Sequence, residues 1–354
     1  MMANLRKIPI EQWLVLIGLV LVWFALLYLW QRWRGRKKET AVSPPPSTPF
    51  RRLWHITRYI LRLALFALAA FTFIGLGVMV YIDYQAVIHD TSPTPSQVEI
   101  PADLPFPVKD AYFSGEEGPI LSGWYVPSQN GAAVILLHGY GSNRLSMRWH
   151  AEQLYAAGYG ILMYDERASG ESGGDHRSYG WEDAADVGGA LSYLQRQFDV
   201  FPDRIGIAGC SIGGQIALQG AAYYPQIRAV WADGPSSITS ADIPQPDNWA
   251  TGLAYISNHI LDKMYAQRLG IEAPPPMITI IGTIAPRPIM MVAGGIPHPY
   301  FGSEEQYVAY MAQFAGANSE IWLIPEAYHC DGPTQRPDEY ATRMITFFDE
   351  TLLP

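Results

Sequence analysis

Apolar and polar positions are spread unevenly along the 354 residues. Two runs without a charge dominate the N-terminal part, residues 13–30 and residues 63–81. At about 1.5 Å per helical residue, each can cross a hydrocarbon core of roughly 30 Å. Trp13, Tyr28, Trp30, Tyr59 and Tyr81 stand near their ends, where amphipathic rings favour the membrane–water interface. A basic stretch follows Trp30 rather than a small-residue cleavage site, which argues against a removed signal peptide. The pattern predicts a two-helix transmembrane hairpin over residues 1–82, a Pro-rich spacer over 83–107 and a folded domain over 108–354.

Within that last stretch the period changes. Short apolar runs at 132–138, 160–165, 205–209, 229–233, 288–293 and 320–324 read as strands buried on both faces. An earlier hairpin is expected between 111–113 and 119–127. Helical spacing follows at 145–157, 181–197, after Ser211, from Ser303 and over 338–352. Strands alternating with helices predict a mostly parallel, doubly wound α/β sheet, with its chemistry at the carboxyl ends of the strands. Residues 237–285 break the alternation and carry Trp249, Tyr255, Ile256, Ile260, Leu261, Met264, Tyr265 and a Pro274–Pro276 run. They form a candidate lid, with ordinary packing helices as the other option.

Charge adds orientation. Nine Lys and Arg residues fall in 31–62 against one acid, Glu39, so the loop of about 31–62 is expected in the cytoplasm. Both ends, and the large C-terminal domain, are then extracytoplasmic. After residue 81 the chain holds 13 basic and 31 acidic residues, a net charge near −18, which disfavours nucleic acid as a partner. The lipid bilayer is an expected partner through residues 13–30 and 63–81. Two cysteines, Cys210 and Cys330, exclude a disulfide framework and a multi-cysteine zinc site. Neither a metal nor an organic cofactor is implied.

The strand ends carry the candidate chemistry. One gives His138-Gly-Tyr-Gly and the next Asp165-Glu-Arg-Ala-Ser-Gly-Glu-Ser172. The third gives Gly209-Cys-Ser-Ile-Gly213, and His329 follows the last strand, ahead of the terminal helix. Each element alone is weak, but in this order the set resembles the α/β-hydrolase superfamily, over roughly residues 108–354. The resemblance implies an α/β-hydrolase fold with Ser211 as nucleophile and His329 as general base. It places the oxyanion hole on the backbone N–H groups of Tyr140 and Ile212. His138 and Arg167 are expected to brace loops.

The acid departs from the family pattern, because 293–306 contains no Asp. Glu304 and Glu305 are the nearest carboxylates, although a helix start behind Ser303 would also favour acids there. Asp233 at another strand end is the rival. Cys210 and Cys330 adjoin the two proposed catalytic residues, and separate thiols are favoured over a disulfide. The resemblance implies hydrolysis of an ester or thioester in a small-molecule acyl substrate. An aminopeptidase-like enzyme and a sensor module with a degenerate site are the alternatives.

Overall fold

The computed structural model describes residues 49–246, 248–297 and 302–354. The first expected transmembrane run, residues 13–30, lies outside the described residues. The second forms part of one helix, α1 (Pro49–Thr91), which is long and apolar enough to cross a membrane. The chain divides into two compact units, residues 1–75 and 76–354. In the first, nearly all the described side chains of α1 are exposed, Leu65, Phe71 and Ile74 among them. For so apolar a surface, lipid is the compatible solvent.

The second unit begins with the last turns of α1. The spacer expected over 83–107 is not a free tether. Residues 83–91 continue the helix, and Thr94–Pro95 pairs in parallel with Ser169–Gly170. Asp83 and Val87 are buried, and Thr91 Oγ1 donates to the carbonyl of Val87. Proline density signals a loop, but long-range burial decided this segment.

Eight strands then form the sheet: β1 (Lys109–Phe113), β2 (Leu121–Val126), β3 (Ala133–Leu137), β4 (Gly160–Tyr164), β5 (Ile205–Cys210), β6 (Ile227–Asp233), β7 (Ile289–Gly294) and β8 (Ser319–Ile324). Their spatial order is β8-β7-β6-β5-β3-β4-β2-β1. β1 and β2 pair antiparallel, β2 runs antiparallel to β4, and every other pairing is parallel. The longer helices among the described residues that follow α1 are α2 (Arg148–Ala156), α3 (Asp183–Leu194), α4 (Ile212–Tyr223), α5 (Trp249–Leu269), α6 (Glu304–Ala315) and α7 (Pro337–Leu352).

Alternation along the central strands builds two cores. From β3, Ile135 and Leu137 face one layer with Val187 of α3 and Ile216 of α4, while Val134 and Leu136 face the other with Leu154 of α2 and Phe348 of α7. Burial on both faces explains why these strands read as continuous apolar runs. The central β3 and β5 carry the His138–Gly141 loop and the Ser211 turn at their carboxyl ends.

Candidate active site

Ser211 occupies a turn of one residue. β5 ends at Cys210 and α4 begins at Ile212, which leaves Ser211 at φ 59°, ψ −121°. A left-handed non-glycine residue costs on the order of 1–3 kcal/mol and persists only where its surroundings hold it. Here the Ser211 N–H donates to the Asp233 carbonyl at 2.8 Å, and the Gln215 N–H donates to the Ser211 carbonyl at 3.1 Å. Gly209 and Gly213 make the turn possible. A Cβ on Gly209 would lie 2.3 Å from the Gly213 backbone, and one on Gly213 would lie 2.5 Å from the Leu137 carbonyl oxygen. Ile212, at the first position of α4, has an N–H with no acceptor inside its helix.

His329 reaches this turn from the loop after β8. Its Nε2 lies 2.8 Å from Ser211 Oγ, and its Nδ1 meets Glu304 Oε1. With Nδ1–H donating to the carboxylate, Nε2 is the acceptor for the serine hydroxyl. The other oxygen of Glu304 accepts the Gly294 N–H at 2.9 Å, so the carboxylate is fixed at both ends. Its hydrogen bond and charge raise the His329 pKa above the ordinary imidazole value, against the opposing effect of burial.

This geometry separates the carboxylates that the sequence left together. Glu304 and Glu305 share the first turn of α6, behind Ser303, whose hydroxyl accepts the Gln306 N–H at 3.3 Å. Glu304 turns back to β7 and His329, while Glu305 remains exposed. Asp233, fully enclosed at the end of β6, accepts a hydrogen bond from Tyr340 Oη at 2.9 Å. Burial pushes its pKa up to about 6.

Cys210 and Cys330 form a disulfide, with Cα atoms 6.0 Å apart, which corrects the expectation of separate thiols. The reason is positional. Each cysteine adjoins one member of the Ser211–His329 pair, so closing that pair brings the two sulfurs together.

The His138-Gly-Tyr-Gly loop lies against the serine, since a Cβ on Gly139 would sit 3.6 Å from Ser211 Cβ. His138 is buried and braces this loop. Its Nδ1 lies 2.8 Å from the Gly139 carbonyl and its Nε2 accepts the Glu166 N–H, while burial lowers its pKa and keeps the ring neutral. Arg167 binds both Asp186 oxygens, at 2.8 and 3.1 Å, and ties β4 to α3. Both therefore brace loops, as their positions suggested.

The Tyr140 side chain was not expected where it lies. Its hydroxyl is 2.7 Å from His89 Nδ1 near the end of α1 and accepts from Arg177 Nη2 at 2.9 Å. Arg177 also donates to the carbonyls of His89 and Ser92, at 2.8 and 2.7 Å, and stacks 4.3 Å above the Tyr140 ring. It thus closes the carbonyl end of α1 and holds the loop beside Ser211. Nothing in the spacing of the sequence marks Arg177 for this.

Tyr140, Glu166, Arg177, Asp183 and Ile212 line a cavity of about 10 Å³ beside the elbow. It is large enough for one water and too small for an acyl chain. The candidate lid is not one loose flap, because Tyr265, Met277, Ile281 and Ile284 are core residues.

Comparison with known proteins agrees with the fold. Residues 124–252 match the family of X-Pro dipeptidyl-peptidases (S15 family). The uncharacterized protein YfhR of Escherichia coli O157:H7 is 27% identical over 266 residues, which cover 71% of this chain and 84% of YfhR. The thiohydrolase AneE of Aspergillus aculeatus is 28% identical over 109 residues, 30% of this chain and 34% of that one. Among solved structures, the Pyrococcus furiosus esterase Pf2001 superposes with a TM-score of 0.58 at 24% identity, covering 74% of this chain and 99% of the esterase. The α/β hydrolase GrgF from Penicillium sp. gives 0.56 at 19% identity, covering 70% and 99%.

Proposed function

We propose that this chain, an α/β-hydrolase by its fold and its likenesses, is a membrane-anchored serine hydrolase that cleaves an ester or thioester through an acyl-enzyme on Ser211. The observation that carries the reading is the continuous line from Ser211 Oγ through the His329 ring to the Glu304 carboxylate, set on a left-handed elbow. The likeness to an esterase and to a thiohydrolase supports the same bond class.

In this mechanism Ser211 Oγ attacks the acyl carbon while its proton passes to His329 Nε2. The carbonyl oxygen gains negative charge and is met by the N–H groups of Ile212 and Tyr140. Losing one such donor costs roughly 3–4 kcal/mol of transition-state stabilisation. The His329 proton then goes to the departing alkoxide or thiolate. Water, deprotonated by the same nitrogen, cleaves the acyl-enzyme and restores Ser211. Glu304 keeps the ring in the required tautomer and stabilises its protonated form.

An extracytoplasmic site fits both the basic 31–62 segment and the Cys210–Cys330 bridge, since disulfides persist in oxidising compartments. A second reading, peptide hydrolysis by the same residues, rests on the S15 match over 124–252. Labelling with a fluorophosphonate should modify Ser211, and Ser211→Ala should abolish it. Folded protein that never labels would overturn the hydrolase reading. A panel of p-nitrophenyl esters and thioesters against aminoacyl nitroanilides separates the two bond classes, with ester or thioester turnover expected to dominate.

A further inference from the structure

We propose that the N-terminal half of α5 dips into the bilayer beside α1, and that the active site receives an acyl substrate dissolved in that membrane. This rests on the membrane-anchored hydrolase reading above and adds the face and the route. Between Arg62 and Asp83 the sequence of α1 carries no charge, a length that matches one hydrocarbon crossing. Asp83 then stands at the membrane surface on the catalytic side.

Three contacts fix how α5 runs past this point. Ser257 Oγ donates to the Asp83 carboxylate at 2.8 Å, Tyr265 Oη donates to Asp90 at 2.5 Å, and Arg268 Nε donates to Thr91 Oγ1 at 3.2 Å. Between the first two, α5 advances eight residues and α1 seven, equivalent to about 12 and about 10.5 Å of rise. The two helices therefore run parallel and side by side. Everything on α5 before Ser257 continues toward residues 76–82, the apolar end of α1.

That part of α5 is built for lipid. No Asp, Glu, Lys or Arg occurs over 248–261. Leu253 and Ile256 are 47% and 52% exposed, and the positions from 251 to 256 are exposed or half-exposed on every side. Thr251 apart, residues 249–256 are apolar or aromatic, and exposed apolar surface of this kind marks a lipid or protein contact rather than a face made for water. Leu253 lies about 6 Å beyond Ser257 along the axis, within the roughly 5–10 Å at which interfacial helices seat themselves. The other end of α5 communicates with the site. Tyr265 stacks on Tyr179 at 5.6 Å, and Tyr179 meets the Tyr140 ring at 5.8 Å. Ring packing thus joins α5 to the loop that carries Tyr140, and the proposed acyl route follows that side of the domain.

The test uses the full chain in phosphatidylcholine vesicles. Because Cys210 and Cys330 are joined, a Leu253→Cys variant offers one reactive thiol for an environment-sensitive fluorophore. Nitroxide-labelled lipid should quench it severalfold more than a fluorophore at Phe198→Cys, a site 94% exposed outside α5. Equal quenching at the two sites overturns the proposal. In the kinetic arm, Leu253→Asp with Ile256→Asp should lower the ratio of turnover on a long-chain acyl ester in the vesicle to turnover on soluble p-nitrophenyl acetate by at least about tenfold, since charge at this depth is costly. Phe198→Asp should leave the ratio unmoved, and an unchanged ratio in the double variant overturns the proposed route. Failure of the hydrolase reading would show separately, as wild-type protein whose Ser211 never labels while quenching at residue 253 persists. Protein that does not float with vesicles overturns the anchor and the proposal together.

Discussion

At the scale of single residues, the decisive group is the carboxylate behind His329. A neutral His329 is needed to accept the serine proton, and Glu304 raises its pKa, so kcat/KM should rise with pH through a limb above the ordinary imidazole value. Glu304→Gln removes the first cause of that shift. The limb should move to lower pH while the plateau falls by on the order of 10²–10⁴, as expected when the orienting acid of a triad is neutralised. Glu305→Gln should change either quantity less than about twofold, because that side chain is exposed and away from the ring. Rate–pH profiles of both variants check this. Asp233 makes the opposite prediction. Its pKa is raised from 3.8 to about 6, so the folded state binds its proton more tightly than the unfolded chain does. Stability from this group is greatest below about pH 4 and declines as pH rises through 6, by up to about 3 kcal/mol. Asp233→Asn, which can still accept from Tyr340, should flatten that slope in denaturant titrations while leaving ester turnover within severalfold of wild type.

At the scale of elements, the elbow and the histidine loop are joined twice, by Ser211–His329 and by Cys210–Cys330. The bridge closes a separation of 120 residues, for which loop-closure entropy predicts about 5 kcal/mol of stabilisation. Cys210→Ser with Cys330→Ser should therefore lose several kcal/mol in chemical denaturation. It should lose activity at temperatures where the wild-type protein is intact, and reductant should reproduce both effects. The sheet that positions these loops was legible in the sequence because its strands are buried on both faces and its turns need Gly209 and Gly213. Ser211 and His329 were legible for the same reason, since each follows a strand end. Glu304 was not separable from Glu305 or Asp233, because the loop after β7 is long and only the start of α6 shows which carboxylate turns back to Gly294. Arg177 and the Asp83–Ser257 contact depend on approach between distant segments, and no local pattern records that.

At the scale of the whole molecule, the remaining question is which side of the membrane holds the site. The sequence puts nine basic residues and one acid in 31–62, then no Lys or Arg from 63 to 108. That charge bias is what supports the proposed placement of the segment in the cytoplasm. The disulfide beside Ser211 supports the same proposed placement independently, because a cytoplasmic thiol pool would keep such a pair reduced. A single-cysteine test separates the orientations, since the described residues contain no free thiol. In intact cells an impermeant maleimide should label Phe198→Cys, whose parent side chain is almost fully exposed. It should label Ser43→Cys only after the bilayer is permeabilised. The reversed pattern would place the domain in the cytoplasm. It would also remove the physical basis for the bridge, so the two results must change together.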